Sequence, residues 1–481
     1  MMLAELISVL RAHDLVITAP DAVLEIDSLA VDSRTVQPGA CFIAARGAVA
    51  DGHDFIMSAI DAGASAVIAE HPIAVAVPVV VVNDGRRATE VLATTWYRRP
   101  TDSLTIVGIT GTNGKTTTTA IMRHLMAGSS VAGSIGTLGA FGGDGKRIPS
   151  TAGTLTTPGP LDLQATFRSM VDSGVRNVAM EASSHALHQR RLDGVTFAGG
   201  VFTNLTREHL DYHGTMAEYV DAKLRLADLV AGDGVLSINA DDPAWAPLVG
   251  DRRAITWGVH PDAQVRIGDI TLLTAGSRFT IDGRFGRADV ELPLPGDFNV
   301  SNAAAGAAVM LGMGHSLDTV AARLTTAPQV LGRMERIIDF PFFVMRDYAH
   351  TPDGLERALR TLRAITPGRL LLVFGCGGER DRGKRAVMGS IAAAGSDHVF
   401  VTSDNPRHED PEQIMDDIVS GMPAGSYDRE IDRLIAIGLA TGEARAGDAI
   451  LLAGKGHETY QIIGDDYTPF DERAIVLGLV R

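Results

Sequence analysis

The sequence predicts an α/β protein of three domains, and three observations carry that expectation. The chain has 481 residues, enough for about three domains at ~150 residues each. From about residue 102 onward, short apolar runs end repeatedly in polar clusters and give way to helical patterns, the rhythm of open α/β sheets. One of these runs, residues 104–109, enters a glycine-rich turn with a lysine and four threonines before Ala120-Ile121-Met122 opens a helix.

That stretch reads as a phosphate cradle. Its glycines let backbone N–H groups turn inward, and the helix N-terminus adds partial positive charge. Lys115 would reach the β/γ-phosphates of a nucleotide, and the Thr116 hydroxyl would ligate Mg²⁺. The standard spacing puts a glycine at 109, where this chain has Ile109. The match is therefore the variant Thr110-Gly111-Thr112-Asn113-Gly114-Lys115-Thr116, followed by Thr117.

The first domain is expected over residues 1–100, closed by the linker Arg98-Arg99-Pro100-Thr101. Apolar residues at 3, 6, 7 and 10 predict a short amphipathic helix with no signal-peptide features. The longest apolar run, residues 73–82, contains Pro78 and is too short to span a bilayer. Val31-Asp32-Ser33-Arg34 and the stretch 48–53 lie in polar, glycine-flanked loops, as binding loops do, although taken alone ordinary turns explain them better.

The middle domain, residues 101–330, alternates strands with helices and is expected to be a doubly wound sheet of the P-loop ATPase type. Three of its apolar runs end in Glu181-Ala182-Ser183-Ser184-His185, in Asn204 to Asp211 and in Asn239-Ala240-Asp241-Asp242. In such sheets ligands bind beyond the carboxyl ends of the strands. The last domain, residues 331–481, repeats the arrangement as a small Rossmann-like unit. Its runs end in Gly375 to Arg385, in Asp404-Asn405-Pro406-Arg407 and in Gly454-Lys455-Gly456-His457-Glu458.

Composition narrows the partners. A net charge of −15 argues against non-specific nucleic-acid binding, which needs a basic surface. Cys41 and Cys376 suggest no disulfide framework, which fits a soluble protein of a reducing cytoplasm without membrane insertion.

Among candidate site residues, Glu181, His209 and Asp211 are hard-cation donors on strand-end loops, and beside a phosphate loop they suggest a second Mg²⁺ site. Lys223 lies in the helical stretch 219–226, where periodicity alone makes it solvent-facing. Arg380, Asn405, Arg407 and Glu458 would read a zwitterion, since arginine grips a carboxylate and a carboxylate receives an ammonium. Asp347-Tyr348-Ala349-His350, Asn302 and Gly332-Arg333-Met334-Glu335 would border a nucleotide.

Taken in order along the chain, these segments resemble the Mur ligases, and the resemblance covers essentially the whole sequence. It implies roles position by position. Gly111, Thr112, Asn113, Gly114, Lys115, Thr116, Thr117, Asn302, Arg333 and Asp347 would hold ATP. Val31, Ser33, Ala48, Val49 and Ala50 would hold the UDP moiety, and Thr156, Thr157, Ser183, Gln189 and Arg191 the muramoyl dipeptide. Lys115, Glu181, His209 and Lys223 would be catalytic, the last three serving a second Mg²⁺ with Lys223 carbamylated. Physics supplies a reason for the carbamate: an ammonium beside Mg²⁺ is repelled, whereas a carbamate is an anion with two oxygens.

Arg380, Asp404, Asn405, Pro406, Arg407, Gly454 and Glu458 would bind the incoming diamino acid, which in relatives with the Asp-Asn-Pro-Arg motif is meso-diaminopimelate. The implied activity is ATP-dependent amide formation on UDP-MurNAc-L-Ala-D-Glu through an acyl phosphate, by a monomer whose domains close on the reactants. Three rivals stand beside it: the same ligase using L-lysine or another diamino acid, a folylpolyglutamate synthetase, and a non-catalytic relative that binds nucleotide or precursor. The Asp32-Ser33-Arg34 element argues against the second, and the presence of Lys115, Glu181, His209 and Lys223 against the third.

Overall fold

A computed structural model describes residues 1–47, 50–149 and 155–480. Ala48 and Val49, assigned above to the UDP moiety, lie outside the described residues. The chain gathers into two compact units, one of residues 1–115, 126–238 and 244–254, the other of residues 116–125, 239–243 and 255–481.

In the first unit, helix Leu3–Ala12 buries Leu3, Leu6, Ile7 and Leu10, the stripe that its periodicity predicts. It belongs to the core of a five-stranded sheet ordered Val16–Thr18, Val79–Val82, Ala66–Ala69, Ala40–Ile43, Ser28–Ala30. All its pairs are parallel except the first. The apolar run 73–82 supplies one of these buried strands, Val79–Val82, directly after Pro78.

The same unit carries a larger sheet built around strand Thr105–Thr110. Parallel neighbours are Asn177–Glu181 and then Ala132–Gly136 on one side, and Phe197–Phe202 and then Val230–Asn239 on the other. Gly139–Phe141 and Arg147–Ile148 extend it antiparallel. With all five central strands running the same way, their carboxyl ends present Thr110, Glu181 and Phe202, each followed by a polar loop, along one edge.

Helix Met216–Leu229, started by a Thr215/Glu218 capping box, packs against this sheet. Its buried face is Tyr219, Ala222, Lys223, Leu226 and Ala227. The solvent-facing reading of Lys223 is thereby overturned: the lysine occupies the fourth-residue position of an apolar stripe and is 1% exposed. Gly108 permits the close approach, since a side chain there would meet Leu226 and Phe197 at 2.9 Å.

The second unit departs from the expected alternation of strands and helices through residue 330. Val265–Leu273, Gly276–Gly283 and Gly286–Leu292 form an antiparallel meander. Val265 and Ile267, Phe279 and Ile281, and Val290 and Leu292 point inward with polar residues between them, the period-two pattern of one-faced strands. Helix Asp297–Gly312 follows, alanine-rich and buried along most of its length.

Residues from Glu335 onward form a six-stranded sheet ordered Glu335–Ile338, Phe343–Asp347, Ala449–Ala453, Leu370–Phe374, His398–Val401, Tyr427–Arg429. The first pair is antiparallel and the others are parallel. Separate hydrophobic clusters cover its two faces, the doubly wound arrangement that the strand-end clusters predict. Among the described residues no helix is long and apolar enough to cross a membrane.

Candidate active site

The glycine-rich loop runs from strand Thr105–Thr110 into helix Lys115–Met126. Gly111 has φ +141°, and a Cβ there would lie 1.9 Å from Thr203 Oγ1, so only glycine fits. The neighbouring strand's exit loop pins the turn. The Thr112 N–H donates to the Asn204 carbonyl at 2.7 Å, and the Asn113 N–H donates to Asn204 Oδ1 at 3.0 Å. The Thr112 hydroxyl donates to the Thr206 carbonyl and accepts from the Thr206 N–H. It also lies 3.2 Å from the hydroxyl of Tyr219, which is fully buried.

Lys115 folds back over this loop and donates to the Gly111 and Thr112 carbonyl oxygens at 3.0 and 2.8 Å. Lys223 donates to the same Gly111 oxygen at 2.7 Å and sits 4.4 Å above the Tyr219 ring. Burial drives the Lys223 pKa well below that of a free lysine, and the Lys115 charge pushes in the same direction.

Glu181, at the end of its strand, is 1% exposed. Its Oε1 accepts from the Thr137 N–H at 2.9 Å and its Oε2 from the Thr137 hydroxyl at 3.2 Å. The precursor candidates gather beside it. The Thr157 hydroxyl donates to the Glu181 carbonyl and accepts from the Ser183 N–H, while the Arg191 guanidinium grips the Thr157 carbonyl and Gln189 Oε1. Thr156 meets the Thr137 hydroxyl at 3.2 Å.

His209, in a left-handed conformation at φ +56°, stands 4.9 Å from the His185 ring and 6.2 Å from Tyr219. Burial lowers its pKa, and the same cause takes His185 down to about 4, so both rings are neutral near pH 7. The reading of the sequence missed Thr137, Tyr212, His213 and Tyr219. The signal available for His213 was its i, i+4 spacing from His209 across Leu210-Asp211-Tyr212.

No group of three or more His, Cys, Asp or Glu side chains among the described residues is arranged to hold a metal ion. Glu181, His209 and Lys223 instead offer a carboxylate, a neutral imidazole and an amine. With Lys223 as an ammonium the set repels a cation. With Lys223 as a carbamate its oxygens complete a hard-donor set of the type Mg²⁺ takes.

In the second unit, Arg333 donates to Thr116 Oγ1 at 3.2 Å and lies 4.5 Å over the Tyr348 ring. The Met334 N–H donates to Asp347 Oδ2 at 2.6 Å, and Thr118 reaches Asn302 Oδ1 at 3.2 Å. Burial pushes the Asp347 carboxyl up to about 6. Arg333 thus meets Thr116 directly, Asp347 joins it through Met334, and Asn302 meets the same helix two residues on, at Thr118. Glu335 anchors the segment, accepting from the Gly332 N–H and from the buried Arg346 at 2.7 Å each.

At the ends of the last domain's strands, a side chain at Gly377 would meet the Arg407 guanidinium at 3.2 Å and the Arg380 Cγ at 3.7 Å. Arg407, at φ +53°, donates to the Gly378 carbonyl at 2.8 Å. Asn405 Nδ2 donates to Glu458 Oε2 at 2.8 Å, and Lys455, which the sequence reading left out, donates to Asn405 Oδ1 at 2.9 Å. Burial raises the Glu458 pKa, and the neighbouring Asp404 charge adds to it. Asp404 closes against Gly454, and the Pro406 carbonyl against Gly378. In the N-terminal sheet, Val31 and Ser33 follow strand Ser28–Ala30, while Ala50 lies in the loop after its parallel neighbour Ala40–Ile43.

Comparison with known proteins bears on this geometry. Three family models match in chain order: "Mur ligase family, catalytic domain" over residues 25–100, "Mur ligase middle domain" over 109–310 and "Mur ligase, glutamate ligase domain" over 332–456. A UDP-N-acetylmuramoyl-L-alanyl-D-glutamate--2,6-diaminopimelate ligase of Geobacillus kaustophilus is 44% identical over 469 residues, covering 95% of both chains. Its namesake in Geobacillus thermodenitrificans is 45% identical over 470 residues with the same coverage. A solved structure titled as the same ligase superposes with a TM-score of 0.68 at 34% identity, covering 95% of this chain and 94% of that one.

Proposed function

The chain belongs to the Mur ligase family, and from that premise we propose that it joins meso-diaminopimelate to the D-glutamate of UDP-MurNAc-L-Ala-D-Glu at the expense of ATP. The reaction is a cytoplasmic step of peptidoglycan precursor synthesis. Its parts divide as residues 1–100 for the UDP moiety, 101–330 for ATP and 331–481 for the amino acid.

The chemistry follows from what these residues can do. The γ-carboxylate of D-glutamate attacks the γ-phosphorus of ATP, the bond to ADP breaks, and an acyl phosphate forms. The amine of the diamino acid then adds to the acyl carbon, and the tetrahedral intermediate expels phosphate as the amine loses its proton. Gly111 to Thr117 cradle the phosphates, and the Lys115 ammonium exchanges its loop carbonyl partners for phosphate oxygens as charge develops. Thr116 would hold one Mg²⁺, and Glu181, His209 and a carbamylated Lys223 a second; the metal would supply charge neutralisation for the phosphoryl transfer. Arg191, Gln189, Ser183, Thr156 and Thr157 orient the dipeptide beside Glu181.

The observation that carries the choice of amino acid is the Arg407 guanidinium beside Gly377, with the Arg380 side-chain stem next to it, together with a carboxylate, Glu458, held by Asn405. That set matches an ammonium and a carboxylate on one carbon, which diaminopimelate has at its distal end and lysine lacks. The test is phosphate release by purified protein with ATP, Mg²⁺ and the UDP-dipeptide across meso-diaminopimelate, L-lysine and L-ornithine. Turnover with diaminopimelate is expected. Turnover with lysine alone, or tight precursor binding without turnover, overturns the reading.

A further inference from the structure

From the geometry around Asn405 we infer that Lys455 is a positioning residue, setting the orientation of the Asn405 amide and through it the Glu458 carboxylate that receives the amino acid's ammonium. The inference rests on the amino-acid site proposed above and deepens it. Lys455 follows strand Ala449–Ala453 and Gly454, and it is fully buried. Burying an ammonium is costly, and a methionine would fill similar space without that cost, so packing alone does not account for the lysine.

Its partners give the reason. Asn405 Oδ1 accepts from Lys455 Nζ at 2.9 Å and from the Ile462 N–H at 3.0 Å. Two donors aimed at one atom fix that atom as the oxygen, because a flipped amide would set its NH₂ against both. The Asn405 NH₂ is thereby turned to Glu458 Oε2, at 2.8 Å. Lys455 Nζ lies a further 3.8 Å from the same Glu458 oxygen. Among the described residues, the hydrogen bond to the Glu458 side chain goes to Oε2, which leaves Oε1 to accept from an ammonium. The charged groups around Lys455 are Asp404, Glu458 and Glu472, opposed by Arg433.

A residue that acts this way alters amino-acid recognition and leaves phosphoryl transfer alone. Steady-state kinetics on full-length protein test it, with wild type, K455M, K455Q, N405A and each double variant with N405A. K455M should raise the KM for meso-diaminopimelate about 10- to 100-fold, the cost of losing a charged hydrogen bond. Its kcat and its KM for ATP and for the UDP-dipeptide should stay near wild type. K455Q keeps an N–H donor and should fall between wild type and K455M. Either substitution should add little in the N405A background, because its path to Glu458 is already gone.

An unchanged KM for the diamino acid, a loss confined to kcat, or losses that simply add to N405A overturn the role of Lys455. If K455M does not fold, K455Q with N405A decides by the same additivity. A wild-type chain inactive with every diamino acid would instead overturn the site reading itself, a different result.

Discussion

The Lys223 ammonium and the Gly111 carbonyl oxygen are 2.7 Å apart, and the Lys115 ammonium shares that oxygen at 3.0 Å. Two cations on one carbonyl beside a phosphate loop make a poor place for a third positive charge. Burial and the Lys115 charge both lower the Lys223 pKa and so favour its neutral amine. A neutral buried amine is the form that adds CO₂. Lys223→Ala should therefore cost roughly 100-fold or more in turnover, as removal of a preorganised charge does. Formate, acetate or propionate should restore part of the loss in the cavity left behind. Activity of the variant with and without each carboxylate checks this, and full activity without any of them would remove Lys223 from the mechanism.

Gly332→Ala should disable the nucleotide site from a distance. Gly332 has φ +64°, and a Cβ there would lie 2.1 Å from the His457 backbone nitrogen. The two loops must separate, displacing Arg333 from Thr116 and Glu335 from the Gly332 N–H. The expected cost is about 1–3 kcal/mol of stability, together with a raised KM for ATP. Urea denaturation and ATP titration measure the two separately.

How much of this was legible in the sequence depends on how local the cause was. The strand ends at Glu181, Asp347, Asp404 and Gly454 could be read because an apolar run followed by a polar cluster is a short-range pattern. Periodicity alone turned Lys223 to solvent, and only the family resemblance set it at the site, although Tyr219, Ala222, Lys223 and Leu226 form an i, i+3, i+4, i+7 stripe, because a lysine on a buried face contradicts the usual solvation rule. The meander of residues 265–292 carries its period-two signal openly, but it was absorbed into the α/β rhythm around it. Thr137 and Lys455 had no local signal at all. Their roles exist only through Glu181, 44 residues away, and Asn405, 50 residues away.

Asp347 predicts a pH dependence. Burial disfavours the anion and pushes its carboxyl up to about 6 in the folded chain, against 3.8 for a solvated aspartate. The folded state thus binds the proton more tightly than the unfolded state. The resulting stability is fully present below about pH 3.8 and is lost as pH rises to 6, above which the ionised group costs about 3 kcal/mol. Asparagine keeps an acceptor for the Met334 N–H and carries no charge. Asp347→Asn should therefore melt above wild type at neutral pH, with the gap closing towards acid, while its KM for ATP rises. Melting curves across the pH range check the sign, and a gap that does not vary with pH contradicts it.

Arg433 and Glu472 form an ion pair at 2.7 Å with both side chains fully buried. Arg433 also donates to the Ala453 carbonyl at 2.9 Å, tying the pair to the strand end that carries Gly454 and Lys455. Glu472→Ala strands a buried guanidinium and should cost about 3–5 kcal/mol. Replacing both partners, as R433M with E472L, should recover most of that loss, because neither charge then needs solvation. Denaturant midpoints of the single and double variants distinguish an uncompensated charge from a lost contact.

Arg407→Ala should change which diamino acid is used. Arg407 is held in a left-handed conformation by two backbone bonds, from its N–H to the Ile462 carbonyl and from the Gly464 N–H to its own carbonyl. Its guanidinium is fixed by the Gly378 carbonyl. A positively charged fork held this rigidly favours a substrate carboxylate, and a substrate without one leaves it unpaired. The alanine variant should therefore lose roughly 100-fold or more in kcat/KM for meso-diaminopimelate, the scale of a charged bidentate contact in a closed site. L-Lysine has no distal carboxylate to lose, so its kcat/KM should barely move and the preference between the two substrates should collapse. The ratio of the two kcat/KM values, wild type against variant, is the measurement. Equal losses for both substrates would place Arg407 in the scaffold and shift the reading of the distal carboxylate to Arg380.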